Sequence, residues 1–95
     1  MHVITRRRLN EFAAKHPGTS SGLARWYRLM KSAQVGSFAE LKRQFAGADK
    51  VGKFTVFNIS GNHARLIAAI HYSRGKVYVR HILTHHEYDL GKWKE

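Results

Sequence analysis

Ninety-five residues carry 17 Lys plus Arg against 6 Asp plus Glu, a formal charge of +11 before any of the 7 histidines is protonated. A chain of that length makes one domain, residues 1–95, and with 43% hydrophobic and 12% aromatic residues it is too apolar to be a disordered basic tail. The lack of cysteine excludes disulfides, thiol catalysis and Cys-ligated zinc, and the lack of a long apolar run argues against a signal peptide or membrane span, leaving the cytoplasm as the default compartment.

The first element is a short β-like opening, His2-Val3-Ile4. Thr5 is placed to cap a helix through Lys15, in which Leu9, Phe12 and Ala13 fall on one face. His16-Pro17-Gly18 ends it, because Pro disfavours helical geometry in the residue before it. A second helix starts near Ser20, with Leu23, Trp26, Tyr27 and Met30 forming the cleanest helical stripe in the chain. Arg25, Arg28 and Lys31 lie mostly off that stripe and make a solvated basic face. The short turn between them predicts an αα-hairpin. Ser37 to Glu40 has capping-box spacing for a further short helical turn, which runs until Gly47.

After Asp49 to Lys53 the pattern changes to period 2, and three strands are expected: Phe54 to Ile59, Ala64 to Tyr72, and Lys76 to Thr84. With Arg74-Gly75 as a two-residue loop, Ser73 pairs with Lys76 and Arg65 with Thr84. One face then carries Leu66, Ala68, Ile70, Val77, Val79 and Leu83, interrupted by His81, which reads as a core histidine. The other carries Arg65, Ile67, His71, Tyr78, Arg80 and Ile82, so the sheet has a dry face and a mixed, basic one. The first hairpin puts Asn58 beside Arg65. Helices covering the dry face leave the basic face open to a ligand.

The charge favours a polyanionic partner: nucleic acid, ribosome, acidic protein or anionic lipid, the last requiring an amphipathic helix whose apolar face has no other use. Lys50, Lys53, Asn62, His63, Arg65, Arg80, His85, His86, Glu87 and Tyr88 gather at one end of the expected sheet. That set suits metal-independent RNA cleavage. A base takes the proton of a ribose 2'-OH, which attacks the adjacent phosphate; Arg or Lys stabilises the added charge; an acid protonates the leaving 5'-oxygen. The same residues have plainer readings: a solvated strand charge for Arg65 and Arg80, turn residues for His63, packing for His71 and Tyr78, and a cover over the sheet's end for Tyr88. A metal site is the competitor for His85-His86-Glu87 with Asp89, but adjacent residues project differently and no H-E-x-x-H or other spaced ligand set is present. No Gly-rich phosphate loop is present either, and no cofactor is expected.

Val56-Phe57-Asn58-Ile59, Gly61-Asn62 with Arg65-Leu66-Ile67, Arg80, and Thr84-His85-His86-Glu87-Tyr88-Asp89 together resemble the HigB branch of the RelE-like bacterial toxins, as do the opening Val3-Ile4, the His16-Pro17 break and Trp26-Tyr27. The resemblance covers nearly the whole chain, and the closing T-H-x-E-Y-D is its most specific part. It implies an α+β, RelE-like fold, with an N-terminal strand and a helical hairpin packed on one face of a small, mainly antiparallel twisted sheet. It implies the toxin of a type II toxin-antitoxin pair that cuts mRNA on the ribosome and is silenced by a HigA-like antitoxin with a helix-turn-helix domain. By matching position, Arg65 becomes the phosphate and transition-state ligand and His85 the first choice for general acid or base. Tyr88 orients or stacks on a base or shares the proton transfer, and Glu87 is a second acid/base candidate or holds His85 or an arginine in place. Lys53, Arg80 and Asn62 become RNA contacts, with His86 kept by proximity. The alternatives are a noncatalytic RNA-binding or ribosome-associated module, which needs the charge but not the histidines, and an interaction protein docking an acidic partner.

Overall fold

The computed structural model describes residues 1–4, 6–61 and 63–94. The expected cap Thr5 and the expected RNA contact Asn62 lie outside the described residues. In chain order the elements are β1 (His2–Ile4), α1 (Arg6–Lys15), α2 (Ser20–Ser32), α3 (Phe38–Gln44), β2 (Asp49–Val51), β3 (Phe54–Ile59), β4 (Ala64–His71), β5 (Lys76–Thr84) and α4 (His85–Leu90). Single 3₁₀ turns lie at Pro17–Thr19, Tyr72–Arg74 and Lys92–Lys94. The strands form one mixed sheet in the order β1-β5-β4-β3-β2, antiparallel except for β1, which runs parallel to β5. This is the expected α+β architecture. No helix among the described residues is long and apolar enough to cross a membrane.

The helices cover one face of the sheet. Leu23, Trp26 and Met30 of α2 and Leu41 of α3 are buried there against Phe57, Ile59, Leu66, Ala68, Val77 and Val79. Trp26 and Phe45 both meet the Phe57 ring edge-on, at centroid distances of 5.4 and 5.3 Å. Ser37 caps α3 by accepting a hydrogen bond from the Glu40 backbone N–H at 3.3 Å. Glu40 turns its own carboxylate to the Gly36 N–H, so the predicted box closes one residue early. Gly22 lets α2 approach the β3–β4 turn, where a Cβ would run into Ser60.

The β4–β5 hairpin differs from the sequence-based register. The connection is not the two-residue Arg74-Gly75 loop but a longer turn, Tyr72 to Gly75, with Gly75 left-handed at φ +63°. His71 therefore pairs with Lys76, and Tyr72 leaves the strand. Further along, Ala68 pairs with Val79 but Ile67 with His81, and Arg80 between them has no partner in the ladder. This β-bulge reverses the alternation. Val77, Val79 and Ile82 all face the helices, while His81 and Leu83 move to the other face, opposite to the expectation for His81, Ile82 and Leu83. Leu83, not Thr84, stands beside Arg65, and Thr84 pairs with Ala64. No strict period-2 frame buries Val77, Val79 and Ile82 while keeping Arg80 in water. One extra residue does.

The second face is not an open basic plane. Val56, Ile67 and Trp93 form a small buried cluster on it, flanked by Val51, Phe54, Leu83 and Tyr88. After α4 the chain reverses at Gly91 (φ +74°) and lays Trp93 over the sheet, its indole N–H donating to the Tyr88 carbonyl at 3.1 Å.

Candidate active site

The turn from β5 into α4 is held by a reciprocal cap. Thr84 Oγ1 accepts from the Glu87 N–H at 3.2 Å, and Glu87 Oε1 accepts from the Thr84 N–H at 2.9 Å. The Glu87 side chain is thus engaged in starting the helix. The His85 N–H donates to the His63 carbonyl at 3.3 Å, which ties α4 to the β3–β4 turn.

One turn of helix places His85 and Asp89 on the same side, with Nδ1 and Oδ2 2.8 Å apart. Both side chains are about half exposed, at 49% and 56%. With Nδ1–H donating to the carboxylate, Nε2 is the ring nitrogen left for other partners. His86 is exposed on the same helix.

Tyr88 is half-buried, stacked on Trp93 with ring centroids 5.2 Å apart and 15° between planes. The Arg65 guanidinium lies 5.6 Å from the Tyr88 ring centroid, within cation–π range. Arg65 Nη1 also donates to its neighbour Ala64's carbonyl at 3.2 Å, and Asn58 stands beside it in register, as expected. An arginine, a phenol and a carboxylate-oriented imidazole are thereby gathered around one short helix, where a phosphodiester can be met by a cation and a proton-transfer group together.

Lys53 and Arg80 lie elsewhere on the same face. Lys53 sits in the β2–β3 turn, its Nζ 5.4 Å from the Phe54 ring, and Arg80 projects from the bulge, 5.9 Å from the Tyr78 ring. Both line a hollow of about 480 Å³ with Phe54, Ala69, His71 and His81. Burial, and secondarily the guanidinium groups of Arg8 and Arg80, hold His81 below the usual imidazole range. Among the described residues, no set of His, Asp and Glu converges as a metal-ligand group.

The family model for the HigB toxin, the RelE-like toxic component of a toxin-antitoxin system, matches residues 19–91. The chain belongs to this family. It is 32% identical over 92 residues to the mRNA interferase HigB of Escherichia coli O6:H1, a match covering 94% of this chain and 89% of that relative. It is 32% identical over 93 residues to the mRNA interferase toxin HigB of E. coli K12 and to the mRNA interferase HigB of Shigella flexneri, covering 95% of this chain and 89% of each. Membership makes the chain a toxin component with an antitoxin counterpart.

Two residues around this candidate site escape a reading of the sequence. Asp89, weighed there only as a metal ligand, is the partner of His85; its spacing of four was visible, but not that a helix begins at His85. Trp93 stands between two lysines in a short polar tail, and nothing local marks it as the residue that backs Tyr88. His81 was assigned to the helix-covered face and joins the hollow because of the bulge.

Proposed function

We propose that this toxin is a ribosome-dependent mRNA endoribonuclease that cleaves by metal-independent attack of a ribose 2'-OH on the adjacent phosphate. The observation that carries the reading is the grouping of Arg65, Tyr88 and His85, with the guanidinium 5.6 Å from the Tyr88 ring and His85 oriented by Asp89 on the same short helix. His85 Nε2 takes the 2'-OH proton, and the 2'-oxygen bonds to phosphorus. Arg65 neutralises the charge that builds on the phosphoryl oxygens. As the bond to the 5'-oxygen breaks, the Tyr88 hydroxyl supplies its proton, leaving a 2',3'-cyclic phosphate and a 5'-hydroxyl. Glu87 and Asp89 are positioning residues, acting through the helix start and through His85. Lys53, Arg80, Asn62 and His86 are RNA contacts around this centre. The relatives named mRNA interferase support the same reading.

The remaining positive charge docks the toxin on ribosomal RNA in the cytoplasm, and the antitoxin is a HigA-like protein with a helix-turn-helix domain. The test is expression of the toxin and of its Arg65→Ala and His85→Ala variants without antitoxin, with mRNA cleavage followed in a translating extract. Wild type is expected to arrest growth and cut mRNA, His85→Ala to lose about 10²- to 10⁴-fold in cleavage rate, the usual contribution of a general acid or base, and Arg65→Ala about 10²- to 10³-fold, as loss of a charge-stabilising donor does. A wild type that does neither refutes the function; variants that remain fully toxic refute the site. Salt-dependent RNA binding shared by wild type and His85→Ala, without cleavage products, would instead indicate a noncatalytic RNA-binding module.

A further inference from the structure

The hollow at the β5 bulge lies on the same sheet face as Arg65 but on the far side of Trp93. Along β4 it begins at Ala69, four residues from Arg65, or about 13 Å at the rise of an extended strand. Its volume of about 480 Å³ is within the range of small-molecule sites. Its chemistry is that of a nucleotide pocket. Exposed Lys53 and Arg80 stand at its rim. Phe54 and Ala69 line it as well. His71, also exposed, meets the Tyr78 ring edge-on, with centroids 5.1 Å apart and 82° between planes. The Tyr78 ring already carries the Arg80 guanidinium, 5.9 Å from its centroid, which leaves the exposed His71 as the ring on which a base can stack.

We propose that this hollow binds a nucleotide of the substrate strand flanking the cleaved bond, with its phosphate held by Lys53 and Arg80 and its base stacked on His71. His81, uncharged at neutral pH, also lines the hollow and offers one donor and one acceptor to a base edge. The sheet thereby holds the strand at two places, and the Trp93 cluster between them separates the scissile phosphate from the flanking base. This subsite rests on the endoribonuclease reading for its substrate, not for its geometry.

The experiment is fluorescence anisotropy of wild-type toxin with a labelled, uncleavable 2'-O-methyl RNA octamer, across a salt series. Lys53→Gln/Arg80→Gln is expected to weaken binding about tenfold and to flatten the log–log salt slope by roughly 0.7, the amount for one neutralised phosphate on a single strand. His71→Ala is expected to weaken it at least about fivefold with the slope unchanged, as loss of one stacked base does. A 4-thiouridine version of the octamer should crosslink within residues 71–81. Binding unchanged in both variants, or crosslinks confined to residues 85–93, overturns the subsite. Cleavage measured in parallel separates the two readings. Wild type that cuts while the hollow variants bind RNA normally refutes the subsite alone. Wild type that never cuts while those variants lose RNA binding refutes the nuclease and leaves the subsite standing.

Discussion

His85 and His81 show how far an imidazole's task depends on neighbours that its position in the chain does not announce. His85 gains a carboxylate one helical turn away and stays at the surface. His81 is partly buried beside two guanidinium groups, which oppose protonation. Its folded-state affinity for protons is lower than in the unfolded chain, so the unfolded state binds more protons as pH falls through about 6.5 and below. Stability contributed by neutral His81 is therefore complete above that pH and lost as pH drops towards the folded-state value. Replacing it with Asn should remove this part of the acid destabilisation. Urea midpoints of wild type and His81→Asn should converge at pH 5 relative to pH 7.5; parallel curves would show that His81 does not titrate differently on folding. The chain itself places both histidines next to basic or acidic residues. Which neighbours count depended on a helix start and a bulge.

At the scale of elements, most of the framework was legible. The stripe Leu23, Trp26, Met30 located α2 and its start, and the runs of β3 and β5 gave both strands to the residue, because these patterns are imposed by burial on one face. The short β2 and α4 were not legible. Three residues of β2 have no period of their own, and α4 has no buried residue to betray it. It exists through its Thr84–Glu87 cap and the Gly91 reversal. Its position over the sheet comes from Trp93, 6% exposed against Val56 and Ile67. Trp93→Ala should cost about 3–5 kcal/mol, as large aromatic truncations in cores do, with Trp93→Phe recovering a good part. Denaturant titration gives the energies. If Trp93 also sets the Tyr88 ring, the alanine variant should lose RNA cleavage under conditions where it remains folded, and the phenylalanine variant should keep it.

For the whole molecule the question is what the +11 charge does. The structure distributes it over both sides. Arg65, Lys53 and Arg80 stand on the second face of the sheet, whereas Arg6, Arg7, Arg8, Arg25, Arg28 and Lys31 are exposed on α1 and α2, which cover the first. Ion pairing neutralises little of the helical set: Arg7 meets Glu11 at 3.0 Å with both side chains largely in water, a pair worth little. Arg8 reaches the bulge, where Nη1 donates to the Arg80 carbonyl at 3.1 Å, whereas on the proposed reading Arg25 and Arg28 of α2 act on affinity and encounter. Arg25→Glu/Arg28→Glu should weaken ribosome association and flatten its salt dependence while leaving the single-turnover rate at saturating toxin unchanged. A fall in that saturated rate would place the helical hairpin in the chemistry instead.

The sequence by itself determined the fold class, most of the helix-facing core, the large excess of positive charge and the family to which the toxin belongs. Periodicity, composition and motif order survive without knowledge of distant contacts. Only the tertiary structure decided which face His81, Ile82 and Leu83 occupy, that Asp89 serves His85, and that the expected open sheet is divided by Trp93 into a site at Arg65 and a hollow at Arg80. Each of these depends on a non-local balance. A bulge lets three apolar residues reach one core while one arginine stays in water, and an indole from the chain's last turns finds its apolar partners on strands about thirty residues earlier.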